Sequence, residues 1–313
     1  MDMLLKHSGS QKKINTYSIR HKIIKNRKAY FFLIPVLLLL STIKYFPFFK
    51  AIFQSMYDWN GINVNNFIGF GNYIELFSDK YFVISFVHIL IICASTVVIN
   101  LITPLLASEF VFNIKNSKIQ NFFKIGFITP MVVPTVVIIL LWRWIYGGEY
   151  GILNQLLNLI GLNNLSRPWL GDSSTALGSI IFMGFPWVSG LPFLLYLAGL
   201  QSIPNELFEA AKIDGVKTLQ RIRFIDIPMV SSQMKLVVMY MMIGSFQTFE
   251  QPYIMTNGGP GTSTLTPALY LYSQAFDYSR FGYSASIGVI LFLVVFIMTF
   301  ISQKFLKNTE NID

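Results

Sequence analysis

Six apolar stretches, at about 29–49, 82–108, 120–146, 176–200, 234–255 and 283–303, constrain this chain more than anything else in it. A helix needs roughly 20 apolar residues to cross the hydrocarbon core of a bilayer, and each stretch is long enough. The strict alternation of barrel strands is absent. Helices, which satisfy their own backbone groups in lipid, are therefore the expected spanning elements. Charged residues make up only 12% of the chain, about half of what a soluble domain of this size carries. The expected fold is an all-α membrane protein of six transmembrane helices.

Six crossings put both termini on one side. Eighteen Lys and Arg residues then fall on that side, against six on the other: Lys44, Lys50, Lys80, Arg143, Arg167 and Arg280. The positive-inside bias places both termini in the cytoplasm. The basic arm, residues 1–28, is expected to anchor this topology and attract anionic membrane lipid, with no role for nucleic acid. Cys93, the only cysteine, reads as a small apolar filler within a span. No small-residue cleavage site follows a short apolar core near the N-terminus, so the first span is expected to stay as an anchor.

Glycine and proline add local detail. Pro130 and Pro134 must kink or interrupt the third stretch. Gly184, Pro186, Gly190 and Pro192 crowd into the fourth, which predicts a broken helix. Irregular backbone at membrane depth is tolerated where it is buried in protein or lines a cavity. The loop 50–81 carries Tyr57, Trp59, Phe67, Phe70 and Tyr73, aromatics suited to a membrane interface. Helical spacing of Ile152, Leu153, Leu156, Leu157 and Ile160 predicts an amphipathic helix on the outer face. His88 is expected to be packed or interfacial, and Arg143 to anchor the outer end of the third span. Asn257-Gly258-Gly259-Pro260-Gly261 lacks the Gly-Lys-Ser/Thr and helix start of a phosphate-cradling loop, so it is read as a turn.

The polar segment between the fourth and fifth stretches has its own punctuation. Pro204 suits the first turn of a helix, where its missing N–H would be unpaired anyway. Glu206 and Glu209 lie near the positive end of the helix dipole, and Gly215 suits the left-handed residue that closes a helix. The predicted helix, 204–215, is roughly 16 Å long at 1.5 Å per residue. A helix so short is marginal alone in water and needs a surface to pack on. Ala210 and Ala211 offer little bulk, so another backbone can approach closely. Glu209 and Asp214 offer acceptors.

The order Glu209-Ala210-Ala211, Asp214-Gly215, then Ile225-Asp226-Ile227-Pro228 resembles the EAA loop of binding-protein-dependent ABC transporter permeases. Ile227 stands where that family has Leu, and Val216 where it usually has Ala. Four further stretches are similar to the carbohydrate-uptake branch of these permeases, the maltose and glycerol-phosphate type. They are Ser55-Met56-Tyr57-Asp58-Trp59, Gly69-Phe70-Gly71-Asn72-Tyr73, Tyr150-Gly151-Ile152-Leu153-Asn154 and Gly258-Gly259-Pro260. The likeness covers nearly the whole chain from about residue 28. It implies a basic cytoplasmic arm (1–28), a six-span permease domain (29–303) containing a coupling loop (201–233), and a cytoplasmic tail (304–313), in a multi-pass protein of the bacterial inner membrane. It also implies three protein partners: a second permease subunit in a heterodimer, a dimer of ABC ATPase subunits, and an extracellular solute-binding protein. No cofactor is expected on this chain, which is not an enzyme; ATP and Mg belong to the ATPase subunit.

Glu209, Ala210, Ala211, Asp214 and Gly215 are then the expected ATPase contact. Bulk at that contact, as in Ala211→Trp, is expected to abolish transport. Solute is expected to cross through a cavity lined by spans two to five. Asn100, Ser189, Gln247 and Glu250 are the candidates for polar contact, with Trp187 and Tyr253 for stacking on a sugar face. The competing class is an ion-coupled secondary transporter or channel. It would need charged side chains deep in the spans, and Glu250, toward the outer end of the fifth, comes nearest.

Overall fold

The computed structural model describes residues 27–310. Most of the basic arm lies outside the described residues, as do the last three positions of the tail. The chain divides into two units, Met1–Lys50 and Ala51–Asp313. Starting in the first, α1 (Arg27–Leu40) runs through a π-helical turn, Ser41–Tyr45, into α2 (Phe46–Gln54), whose last four residues belong to the second. The continuous stretch Phe31–Gln54 has 24 residues. At 1.5 Å per residue it is about 36 Å long, enough for a hydrocarbon core of roughly 30 Å. Its large apolar side chains are exposed, Phe31 and Phe32 most of all. The Thr42 hydroxyl donates to the Leu38 and Leu39 carbonyls at 2.8 and 3.3 Å. The widened turn thus satisfies its polar side chain without water.

The second unit continues with an antiparallel hairpin of β1 (Tyr57–Trp59) and β2 (Asn65–Phe67), with Tyr57 opposite Phe67. Strands of three residues carry no periodic signal, which is why the sequence reads only as an aromatic loop. The buried Asn72, on α3 (Gly71–Ser78), donates to the Ser55 and Tyr57 carbonyls at 2.8 and 2.9 Å. That pair of bonds ties the hairpin to the helix.

The spine of the unit is α4 (Lys80–Phe112), a single helix of 33 residues. The Asp79 carboxylate caps it by accepting the Tyr81 N–H at 2.9 Å, using one of the donors that a helix start leaves unpaired. His88, within α4, has Nδ1 3.0 Å from the Leu265 carbonyl, so it is packed.

Proline and glycine then break the middle of the chain at the third and fourth stretches, where the sequence predicts interruptions. The third stretch is α5 (Ser117–Ile128), a 3-10 turn at Thr129–Val132, and α6 (Thr135–Ile145), bent by 95° at the break. Pro130 and Pro134 remove backbone donors there. The predicted amphipathic helix follows as α7 (Ile152–Leu159). It is pinned by the buried Asn154, which accepts the Trp169 indole N–H at 2.7 Å. The fourth stretch is split into α8 (Ala176–Phe182) and α9 (Gly190–Gln201).

Beyond it come α10 (Asn205–Ile213), α11 (Thr218–Arg221), a π-helical turn at Ile222–Asp226, α12 (Ile227–Met229) and α13 (Ser231–Ser245). The run from Thr218 to Ser245 bends by 67°. The fifth apolar stretch runs on to residue 255, but α13 stops at Ser245 and a separate α14 (Glu250–Thr256) follows. Finally α15 (Pro267–Phe276) packs on α16 (Phe281–Glu310), and α16 continues as helix into the expected tail. Among the described residues three helices alone are long and apolar enough to span a bilayer, and up to five count if each bent pair is one span.

Both α9 and α13 pack along α4. Hydroxyls make these contacts close. Ser108 donates to the Phe193 carbonyl at 2.9 Å, Thr103 to the Trp187 carbonyl at 2.6 Å, and Tyr196 to the Asn100 carbonyl at 3.4 Å. Such bonds between membrane helices contribute about 0.6 kcal/mol each on average, so the apolar cluster of Leu105, Tyr196, Leu200, Val230 and Val237 supplies most of the cohesion.

Candidate functional site

The breaks in the middle of the chain converge on one cavity of about 590 Å³. Its wall is drawn from α4, the α5–α6 break, the α8–α9 break and the α13–α14 break. The polar groups on it are Thr96 and Asn100, one turn apart on α4, with Thr135, Ser189, Tyr240, Ser245, Thr248 and Gln251. Among the described residues the lining holds no Asp, Glu, Lys, Arg or His. Asn100 donates to the Thr96 carbonyl at 2.9 Å, and its buried Oδ1 has no partner. A residue of the cavity wall thus holds an unpaired acceptor that is itself buried.

Trp187 adds an aromatic face. Its backbone is left-handed, at φ 56°, a conformation that costs a bulky residue about 1–3 kcal/mol. The Thr103 hydroxyl on its carbonyl offsets part of that cost. So does edge-on packing against Phe182 and Phe185, each with its ring centroid at 4.9 Å.

Asn100, Trp187 and Ser189 therefore sit on the wall, whereas Gln247, Glu250 and Tyr253 do not. The cause is the break after Ser245. A helix extrapolated through 246–249 keeps the wrong phase. In the observed path Thr248 and Gln251 reach the wall, while Gln247 and Glu250 are exposed. Tyr253 stacks on Phe249 at 5.1 Å and faces Tyr272 at 5.3 Å, in an open cleft beside Arg143. Thr96, missed from the sequence, had a legible signal: it lies four residues before Asn100, on the same face of the helix.

At the far end of α4, α10 ends as its sequence demands. Gly215, at φ 70°, takes the left-handed position. Its N–H donates to the Lys212 carbonyl at 3.2 Å, and the Val216 N–H to the Ala211 carbonyl at 2.9 Å. This pair of bonds is the Schellman closure of a helix. Pro204 stands just before the first turn rather than inside it. Glu209, Ala210, Asp214 and Gly215 are exposed, but Ala211 is only 6% exposed and faces inward. Bulk at Ala211 would therefore clash within the chain, and Ala210 is the residue of the pair that a partner can reach. Leu207, Ile213, Val216 and Leu219 are exposed around it, Ile213 at 86% and Leu219 at 81%.

Beneath α10 lies a charged group that the sequence did not reveal. Arg221 Nε donates to Asp226 Oδ2 at 2.9 Å, and an Nη donates to Asn113 Oδ1 at 2.8 Å. The same Nη lies 3.7 Å from Glu109 Oε2, at the end of α4.

Residues 100–309 match the family described as "Binding-protein-dependent transport system inner membrane component". The probable ABC transporter permease protein YurN of Bacillus subtilis is 35% identical, over 89% of this chain and 96% of its own. The diacetylchitobiose uptake system permease protein NgcF of Streptomyces coelicolor is 30% identical, over 84% and 76%. The multiple sugar-binding transport system permease protein MsmF of Streptococcus mutans is 29% identical, over 92% and 98%. A chain in the crystal structure of a bacterial ABC transporter that imports alginate has the same fold, with a TM-score of 0.82 at 18% identity, over 93% of this chain and 99% of that one. A domain match that spans the cavity wall from Asn100 onward, a permease relative aligned over nearly its whole length, and long apolar helices agree on an integral membrane protein. The chain belongs to the binding-protein-dependent transport system inner membrane components, the permease subunits of ABC importers.

Proposed function

We propose that this chain forms one half of a pathway that carries a carbohydrate inward across a cell membrane, working with a second permease subunit, an external solute-binding protein and an ATPase dimer. Six crossings with both termini in the cytoplasm give the pathway its topology: each broken segment counts as one crossing. The observation that carries the reading is the composition of the cavity wall. Hydroxyl and amide groups with one indole, and no charged side chain among the described residues, suit an uncharged solute rich in hydroxyls. The names of relatives that take up diacetylchitobiose and multiple sugars support the same class.

Energy reaches the cavity from outside the chain. Leu207, Ile213, Val216 and Leu219 are exposed apolar side chains on a short polar segment, which supports a protein partner that covers them. They form the proposed seat for the ATPase subunit, with Glu209, Ala210, Asp214 and Gly215 at its centre. Magnesium and ATP are held by that subunit.

The complete complex in proteoliposomes tests both halves of the reading. Uptake of a radiolabelled neutral oligosaccharide should exceed that of a uronate oligosaccharide of equal length by about tenfold or more, because an unpaired carboxylate is costly to place in an uncharged cavity. Equal uptake of the two would sink the neutral-solute assignment. Ile213→Asp should strip the ATPase subunit from the purified complex, and full retention would remove α10 from the contact.

A further inference from the structure

A buried charge cluster joins α10 to the helix that lines the cavity. Arg221 bonds to Asp226 in its own segment and to Asn113 just beyond α4, and stands beside Glu109 in the last turn of α4. Its guanidinium also lies 5.3 Å from the centre of the Phe208 ring on α10, and Phe208 packs on Phe112 of α4 at 5.7 Å. One side chain therefore touches the coupling helix, the segment after it and the end of the cavity helix. Glu109 and Asp226 are 4% and 0% exposed. Each keeps one buried oxygen without a partner, Glu109 Oε1 and Asp226 Oδ1.

Two buried carboxylates around one guanidinium are a poor way to gain stability. Desolvation costs several kcal/mol per ion, and well-packed apolar residues of similar size often hold a static fold as well or better. What a forked guanidinium provides is a fixed geometry between the elements it bridges. From Glu109 the same helix, with Pro104 inside it and the Asn100 carbonyl held by the Tyr196 hydroxyl instead, leads to Asn100 and Thr96 on the cavity wall, about 14 and 20 Å away at 1.5 Å per residue.

We propose that Glu109, Arg221 and Asp226 form a transmission clamp, with Arg221 as its positioning residue. A displacement of α10 passes through Arg221 into α4 and reaches the cavity wall as a shift of Asn100 and Thr96. This inference rests on the reading of α10 as the ATPase contact. Without the clamp the ATPase subunit stays seated, but the cavity no longer responds to nucleotide.

The test uses the complete complex in proteoliposomes, with cysteine-free partners, Cys93→Ala and a reporter at Thr96→Cys. A membrane-impermeant maleimide is added with and without ATP plus vanadate. With Arg221 in place, trapping should change the labelling rate by about tenfold, and with Arg221→Met by less than about twofold. Arg221→Lys keeps the charge but not the fork, and should fall between. The triple variant Glu109→Gln, Arg221→Met, Asp226→Asn leaves no uncompensated buried charge, so it covers the case in which Arg221→Met alone fails to fold. The ATPase subunit should co-purify with the triple variant in full yield. A full nucleotide response in the triple variant overturns the clamp, and so does loss of the ATPase subunit from it. If Ile213→Asp leaves both the ATPase subunit and the response in place, the docking reading fails, and the clamp falls with it.

Discussion

Asp79 holds the other end of α4. Its carboxylate accepts the hydroxyls of Tyr270 and Tyr283, the latter at 2.7 Å, and the Tyr81 N–H at 2.9 Å. Partial burial pushes the carboxyl up, but the two tyrosine hydroxyls and the backbone donors outweigh it and leave the group below its ordinary value. A carboxylate depressed on folding contributes stability that is complete above its unfolded pKa of about 3.9 and is lost as pH falls through the lower folded value. Asp79→Asn should therefore cost about 1 kcal/mol, since the amide still accepts hydrogen bonds but the charge is gone and solvent screens part of it. In thermal unfolding of the detergent-solubilised complex, the gap from the unaltered chain should stay constant from pH 8 to about 5 and close only under stronger acid. A gap that closes near neutrality would assign the effect to another group. Gly215 offers a second single-residue test. A Cβ there meets nothing within 4 Å, so Gly215→Ala costs only backbone strain, about 1 kcal/mol. It should weaken retention of the ATPase subunit, while Gly215→Asn, whose side chain tolerates the left-handed region, should retain more of it.

Among the elements, α10 was legible at its ends but not in its facing. Pro204 and Gly215 mark the boundaries by backbone chemistry alone. Which alanine points inward depends on the surface beneath, where Phe208 packs beside Leu105, Tyr196 and Leu200, and no local pattern records that. The same division explains the helix breaks. Between Gly184 and Pro192 the residues themselves forbid a continuous helix. The break at 246–249 contains neither glycine nor proline, so it is set by tertiary packing, with Phe246 buried against Ile89, Ile92 and Cys93. Propensity is a weak prior against such packing. The inward facing of Ala211 makes two adjacent substitutions differ in kind. Ala211→Trp overfills an interior site and should lower the melting temperature of the complex, consistent with a cost of about 1–3 kcal/mol. Ala210→Trp should leave the melting temperature alone and release the ATPase subunit. Identical behaviour of the two would mean that α10 is seated differently on the chain.

Over the whole molecule, the sequence exposes whatever is local, such as apolar length, charge asymmetry and the coupling motif. It hides contacts across more than a hundred residues, such as Glu109 with Arg221, and every face that depends on where a helix stops. The cavity is the case with the largest consequence. A helix carried straight through residue 255 directs attention to Gln247 and Glu250, while the observed break turns Thr248 and Gln251 inward. Gln247 and Gln251 carry the same neutral amide four residues apart, so a comparison between those two isolates geometry. A hydrogen bond to a neutral solute contributes about 1 kcal/mol, or roughly fivefold in rate or affinity. Thr248→Ala and Gln251→Ala should each cut uptake of the neutral oligosaccharide by about that factor, and the loss should grow if the double variant removes both groups from one solute. Gln247→Ala and Glu250→Ala should stay within about twofold, because surface substitutions away from packed features cost little. Because none of the four lies near α10, the ATPase subunit should co-purify equally in all of them. A loss confined to Gln247 and Glu250 would move the solute path to the outer face of α14, and the cavity between the broken helices would then be a packing defect rather than a passage.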